Sequence, residues 1–214
     1  WDPDGRYHPL FGTDRTDEGW VQVTSLPMVL AARPLYAVGG YRATLLLPIG
    51  GTVLAALAAA SLVRRLSPDR RDDLALWLFG LGSPLVVYAL DLWEHSLGVA
   101  AIAWAAVLLT DVCLGRDGLA RSLGAGALLA TAATMRTEAL VYTLALVGGT
   151  CAWMALRAHW ASAMRTGLAT IVGFAPVWLG NAALEALLGG QSRAERATGA
   201  ASSSGGELGT RLEE

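Results

Sequence analysis

The chain has 214 residues, of which 54% are apolar and only 16% are charged. A soluble domain usually carries about 25% charged residues, so this composition indicates a membrane protein. The formal net charge of −2 provides no basic surface for nucleic acid, and no helix-turn-helix, zinc-finger or RNA-binding motif offsets that lack. We therefore expect no nucleic-acid partner.

The first 41 residues are expected to form an extracytoplasmic loop with short helices close to the membrane. Residues 21–38 are apolar but contain Pro27 and Pro34 and precede a pair of glycines. Proline interrupts helices, so this stretch predicts broken helices that lie on the outer membrane surface. The acidic residues before it resemble a metal-binding cluster only loosely, and a solvated loop explains them equally well; they are Asp2, Asp4, Asp14, Asp17 and Glu18.

Six uncharged apolar runs follow, at residues 43–63, 74–90, 96–110, 122–135, 139–156 and 166–184. A bilayer core needs about 20 apolar residues, with a range of about 17 to 25, and four runs satisfy this alone. The third run becomes long enough if Asp111 lies at the interface, and the fourth stays short. We therefore predict an all-α, polytopic transmembrane helical bundle with about six spanning helices over residues 42–188, followed by an outer polar tail over residues 189–214.

The arginine-rich loops indicate the orientation, because such loops normally face the cytoplasm. They span residues 64–71, 116–121 and 157–165, which leaves the loops around Glu94 and Arg136 on the outer face of a plasma (cytoplasmic) membrane. The alternative has five crossings, with residues 122–156 as one long span. That arrangement would bury Arg136 and Glu138 near the middle of the membrane. Burial costs about 2.5 to 3.5 kcal/mol for each charge, so we prefer six crossings.

Glu94 and His95 form the first candidate site in an outward loop. A carboxylate beside an imidazole can bind a divalent metal ion, or one of the two can accept a proton from an attacking hydroxyl. The alternative is a polar helix start, in which Glu94 favours the helix dipole and His95 lies among the lipid headgroups. A divalent metal ion is therefore the one candidate cofactor, and its ligands stay undefined.

Arg136 and Glu138 form the second candidate site, because they interrupt an otherwise continuous apolar stretch. The planar guanidinium of Arg136 could bind a phosphate, and Glu138 could hold that guanidinium in place. The alternative is an ordinary helical hairpin with an ion pair at its tip. Cys113 and Cys151 lack metal-ligand spacing and are interpreted as small buried residues.

Three stretches of the chain resemble a known family: "PLYAVGGYRATLLLP", "YALDLWEHSLGVAAIAWA" and "GRDGLARSLGAGALLATAATMRTEALVY". Their order is similar to polyprenyl-phosphate-sugar-dependent glycosyltransferases of the GT-C superfamily, in particular the bacterial relatives of protein O-mannosyltransferases and aminoarabinose transferases. In many of these, an acidic–histidine pair follows a span and an Arg-Pro-Glu type motif comes two spans later. Thr137 replaces that proline here, and the resemblance covers residues 20–185.

The resemblance implies transfer of a sugar from a polyprenyl-phosphate donor to a glycan, lipid or protein acceptor on the outer membrane face. It places Glu94 and His95 on the acceptor or metal side, and Arg136, held by Glu138, at the donor phosphate. The family's catalytic aspartate follows the first span. That span is not part of these residues, so we expect the chain to be an internal piece of a longer protein with this aspartate upstream. A transporter or flippase, or an inactive membrane scaffold, is the alternative.

Overall fold

A computed structural model describes residues 25–67, 71–116 and 118–187, and the backbone alone of residues 13–16, 19–22, 188 and 189. The predicted outer tail and most of the acidic start therefore lie outside the described residues. Eight helices are described: α1 Leu26–Thr44, α2 Leu46–Leu66, α3 Asp72–Leu81, α4 Leu85–Tyr88, α5 His95–Cys113, α6 Gly118–Met135, α7 Ala139–Leu156 and α8 Trp160–Gly189. The two short strands β1 Thr13–Thr16 and β2 Gly19–Gln22 pair antiparallel as a hairpin.

The chain divides into two compact units. One comprises residues 24–178 and contains α1 to α7 with the first part of α8; the other comprises residues 1–23 and 179–214. In the larger unit α5 packs most extensively, against α2 on one side and α6 on the other. The buried core between α5 and α6 is built mainly from alanine and leucine, namely Ala105, Leu109, Ala125 and Leu129.

Four helices are long and apolar enough to cross a membrane: α2, α5, α7 and α8. The predictions of a helical bundle and of membrane-type helices are therefore confirmed. The run at 122–135 also forms a helix, α6, but this helix is rich in small residues and half of it is buried inside the bundle. Its alanines and glycines make it a packing surface for its neighbours.

The run at residues 74–90 is not one continuous helix, which differs from the predicted span. It forms the ten-residue α3 and the four-residue α4. Pro84 stands between them and has no backbone N–H to continue the helical hydrogen bonds. The hydroxyl of Ser83 donates to the carbonyl of Phe79 at 2.6 Å and accepts the backbone N–H of Leu85 at 3.3 Å. The Ser83 side chain thus provides hydrogen-bond partners for one carbonyl and one N–H group at the break.

Helix α1 differs from the predicted broken helices in where it breaks. It begins at Leu26, with a proline in its first turn, and continues through Pro34 without a break. The kink instead falls at Gly39 and Gly40, where Gly40 has φ 62° and ψ −158°. Only glycine adopts that conformation readily, so the glycine pair sets the bend.

Close helix crossings depend on glycines that face a neighbouring backbone. A Cβ atom at Gly51 of α2 would lie 2.7 Å from the backbone nitrogen of Leu97 in α5. A Cβ at Gly126 of α6 would lie 2.8 Å from the nitrogen of Phe174 in α8, and Gly173 meets the backbone of α6 in the same way. Small residues allow such close approach in membrane helices, and this packing replaces the hydrophobic force that lipid removes.

We expect Gly126→Ala to lower the free energy of unfolding by about 1 to 3 kcal/mol, because the added methyl group must push α6 and α8 apart. Gly149→Ala in α7 is the matched control, since a Cβ there has no neighbouring atom within 4 Å. That substitution should be neutral or stabilise by up to about 1 kcal/mol through reduced backbone entropy. Unfolding in mixed detergent micelles measures both values, and equal effects of the two substitutions would contradict the close crossing.

A buried carboxylate near the C-terminal end of α5 joins three elements. Asp111 is only 3% exposed; the sequence placed it near the membrane interface but did not indicate that protein encloses it. Its carboxylate accepts a hydrogen bond from Nε of Arg65 at 2.7 Å and from Nη1 of Arg116 at 2.7 Å. Nε of Arg121 donates to it at 3.4 Å. The ends of α2 and α5 and the start of α6 are thus tied to one acidic group, which we call the Asp111 cluster.

Candidate functional site

The loop between α4 and α5 positions the first predicted pair. A tight turn begins at Asp91, whose carboxylate accepts the backbone N–H of Leu92 at 2.8 Å and whose carbonyl accepts that of Trp93 at 2.8 Å. Glu94 then starts the helix, because its carbonyl accepts the N–H of Gly98 at 2.9 Å. Glu94 makes no side-chain cap within the described residues, and its charge is close enough to Arg136 to raise the pKa of that guanidinium.

His95 lies between two aromatic side chains. Its ring stacks on Tyr88 with 4.4 Å between centroids and an interplanar angle of 19°, and the ring of Trp93 lies at 5.1 Å and 54°. Nδ1 of His95 is buried without a hydrogen-bond partner among the described residues. A buried polar atom of this kind is costly unless something binds it, which makes His95 a candidate ligand contact.

The turn between α6 and α7 positions the second predicted pair. Helix α6 ends at Met135, and α7 begins at Ala139. Nη2 of Arg136 donates to Oε1 of Glu138 at 2.8 Å, and its Nε lies 3.4 Å from Oε2. The two contacts orient the guanidinium of Arg136 against Glu138, and binding of a phosphate by Arg136 stays a prediction.

The two pairs lie together, although about forty residues separate them in sequence. The side chain of Arg136 passes over the first turn of α5, with its Cδ 3.9 Å from the position that a Cβ of Gly98 would occupy. The hydrogen bond to Glu138 is the main cause that raises the pKa of Arg136, and the charges of Glu94 and Tyr88 add to it. A Cβ at that distance would make an ordinary van der Waals contact, so the side chain of Arg136 lies against the first turn of α5 whether or not position 98 is glycine.

Glu138 stays ionised far into the acid range. The hydrogen bond from Arg136 lowers the pKa of the Glu138 carboxyl from 4.5 to about 2, and the charge of His95 also lowers it. Because the folded pKa is depressed, this pair stabilises the fold above pH 4.5 and loses that contribution as the pH falls through about 2. The side chain of Glu138 is 64% exposed, so solvent screening keeps the contribution below about 1 kcal/mol.

A second link ties α1 to the same loop. The hydroxyl of Tyr41 donates to Oδ1 of Asp91 at 3.0 Å. This hydrogen bond to a carboxylate is the main cause that raises the pKa of Tyr41. Tyr41 comes directly after the bend at Gly40, and its contact with Asp91 holds the loop that leads to Glu94 and His95. The kink in α1 therefore helps to position the site.

The sequence missed the aromatic neighbours of His95. Neither Tyr88 nor Trp93 was singled out as a site residue, because an aromatic residue near the end of an apolar run is ordinarily interpreted as part of an interfacial belt. The signal was present, because both residues come shortly before the acidic–histidine pair in the sequence. Within the described ranges, no three His, Cys, Asp or Glu side chains come together as metal ligands. The metal ion that the sequence suggested for Glu94 and His95 therefore stays a prediction.

Cys113 and Cys151 are free thiols and both are partly buried, in keeping with their interpretation as small packing residues. No family model matches the chain, and no curated protein or solved structure shows a significant similarity to it.

Proposed function

We propose that the protein transfers a sugar from a polyprenyl-phosphate donor to an acceptor on the outer face of the plasma membrane. The observation that supports this proposal most is the placement of Arg136 beside Glu94 and His95. A fixed guanidinium suits a phosphate, and a carboxylate with an imidazole suits a hydroxyl that must lose its proton. One site therefore contains complementary groups for donor and acceptor.

The proposed reaction uses these groups in one displacement. The acceptor hydroxyl attacks the anomeric carbon, its proton passes to Glu94 or His95, and the bond between that carbon and the donor phosphate oxygen breaks. The electron pair of this bond goes to the phosphate, whose growing negative charge Arg136 stabilises. Glu138 acts through Arg136 by holding its guanidinium in one plane.

The proposed arrangement in the membrane is six crossings, of which the second is made by α3 and α4 together across the break at Pro84. The site then faces outward and the Asp111 cluster lies at the cytoplasmic face. Helix α5 begins at His95 and ends at Cys113, which places its ends about 27 Å apart at 1.5 Å per residue. This length is close to the roughly 30 Å of a bilayer core. The arginines of the cluster then obey the preference of positive residues for the cytoplasm.

The position of the charges favours a transferase over a transporter. Transporters usually bind substrate and coupling ions near the bilayer midplane, on interrupted helices. Glu94, Arg136 and Glu138 instead lie at the ends of the helices, just outside α5, α6 and α7. Such a position suits a donor whose phosphate lies among the headgroups and whose polyprenyl chain stays in the bilayer.

Cysteine labelling tests the site and its side of the membrane together. In a variant without Cys113 and Cys151, single cysteines replace Thr137 beside the site or Ser162 in the first turn of α8, on the opposite side of the membrane in the proposed arrangement; both positions are exposed. We expect an impermeant maleimide to label intact cells at position 137 but not at 162. A polyprenyl phosphate should then slow labelling at 137. Labelling at 137 only after the membrane is opened, or without protection by the lipid, would contradict the proposal.

A further inference from the structure

A cleft lies at the ends of α5 and α7 and at the start of α8. Its volume is about 270 Å³. It is lined by Val112, Cys113, Gly115, Trp153, Met154, Arg157, His159 and Ser162. Because α5 and α7 both run from the candidate site to this cleft, the two places are separated by the length of a membrane-spanning helix. The cleft is therefore independent of the proposed transfer site.

The cleft has an apolar floor and a basic rim. Val112 and Met154 are buried and belong to one hydrophobic cluster. The guanidinium carbon of Arg157 lies 4.4 Å from the ring centroid of Trp153, a cation–π contact that holds the charge at the rim although the side chain is exposed. His159 lines the same rim. None of the eight described lining residues is acidic.

The turn after α7 brings this rim together. Ala158 adopts φ 60°, a conformation that reverses the chain after a helix. The backbone N–H of His159 then donates to the carbonyl of Met154 at 3.0 Å, and the carbonyl of His159 accepts the N–H of Ala163 at 2.9 Å. The chain thus ends α7 and starts α8 within a few residues, so that Arg157 and His159 border one cavity.

We infer that this cleft binds the headgroup of an anionic phospholipid from the leaflet on its side of the membrane. The arginine fork suits a phosphate, and the apolar floor suits the first carbons of an acyl chain. The rest of the acyl chain could lie along exposed apolar side chains of the two flanking helices, such as Leu156 of α7 and Met164 of α8. A free phosphate would use the rim and leave the apolar floor unoccupied, which is why charge and apolar surface together favour a lipid.

Native mass spectrometry of the delipidated, detergent-purified chain tests this inference, with phosphatidylglycerol and phosphatidylcholine of identical acyl chains as probes. We expect one phosphatidylglycerol to bind about fivefold to tenfold more tightly than phosphatidylcholine, since one interfacial arginine contributes about that factor. Arg157→Gln should remove this preference. Arg165→Gln is the matched control, because Arg165 is an exposed arginine of α8 that does not line the cleft, and it should keep the preference.

Three results would overturn the inference. The first is equal affinity of the unaltered chain for the two lipids, which decides the matter even if Arg157→Gln fails to fold. The second is an unchanged preference in folded Arg157→Gln. The third is displacement of phosphatidylglycerol by inorganic phosphate at millimolar concentration, which would identify a site for a free anion.

Discussion

Replacing Asp111 by alanine should lower the free energy of unfolding by about 3 kcal/mol, the largest stability effect we expect from a single polar side chain. The carboxylate accepts hydrogen bonds from Arg65, Arg116 and Arg121, which come from different parts of the chain. Its removal leaves three positive charges facing one another around a buried position. Because Arg116 is 52% exposed, water relieves part of this repulsion, which places the loss at the lower end of the range for buried pairs.

Asp73→Ala is the matched control for this experiment. Asp73 makes a similar two-point contact with Arg71, at 2.7 and 3.2 Å, but both side chains are exposed. Solvent and salt screen such a pair, so its loss should barely change stability. Unfolding of both variants in mixed micelles gives the comparison. A similar loss for the two would show that burial of Asp111 contributes nothing.

The helices could be predicted from the sequence where an apolar run is long and uninterrupted. The predicted run 139–156 coincides with α7, and the run 122–135 ends where α6 ends. The prediction of one continuous helix over residues 74–90 was wrong because apolar composition alone does not reveal a break, although Pro84 marks its position. The burial of Asp111 could not be predicted for another reason: Arg65 lies on a different helix, α2, and the sequence gives no sign that Arg65, Arg116 and Arg121 all meet one carboxylate.

The candidate pairs could be located because a charge between two apolar runs is conspicuous. That argument identified Glu94, His95, Arg136 and Glu138 and placed them on one side, and the structure brings the two pairs close together. The surroundings of His95 could not be read in the same way. An aromatic residue at the end of a membrane helix has an ordinary explanation as an interface anchor, so its packing against an imidazole emerges only from the folded chain.

Arg136→Ala should weaken the binding of a polyprenyl phosphate by about 10- to 100-fold, because a hydrogen bond to a charged group contributes about 1.5 to 3 kcal/mol. Arg136→Lys should recover only part of this loss, since an ammonium group keeps the charge but not the planar fork. Glu138→Gln should have a smaller effect, because it removes the group that orients the guanidinium and leaves the guanidinium itself. Equilibrium titration of the purified protein with a fluorescent polyprenyl phosphate gives the three dissociation constants.

Arg33→Ala is the matched control for phosphate binding. Arg33 is an exposed arginine in α1 on the same predicted side of the membrane, so it tests whether any outward positive charge attracts the lipid. It should leave the dissociation constant nearly unchanged. The order of the effects is also diagnostic, because a general electrostatic attraction would make Arg136→Lys equal to the unaltered protein. Binding that survives Arg136→Ala, or that falls equally in Arg33→Ala, would remove Arg136 from the donor site and leave the Arg136–Glu138 pair as the tip of a helical hairpin.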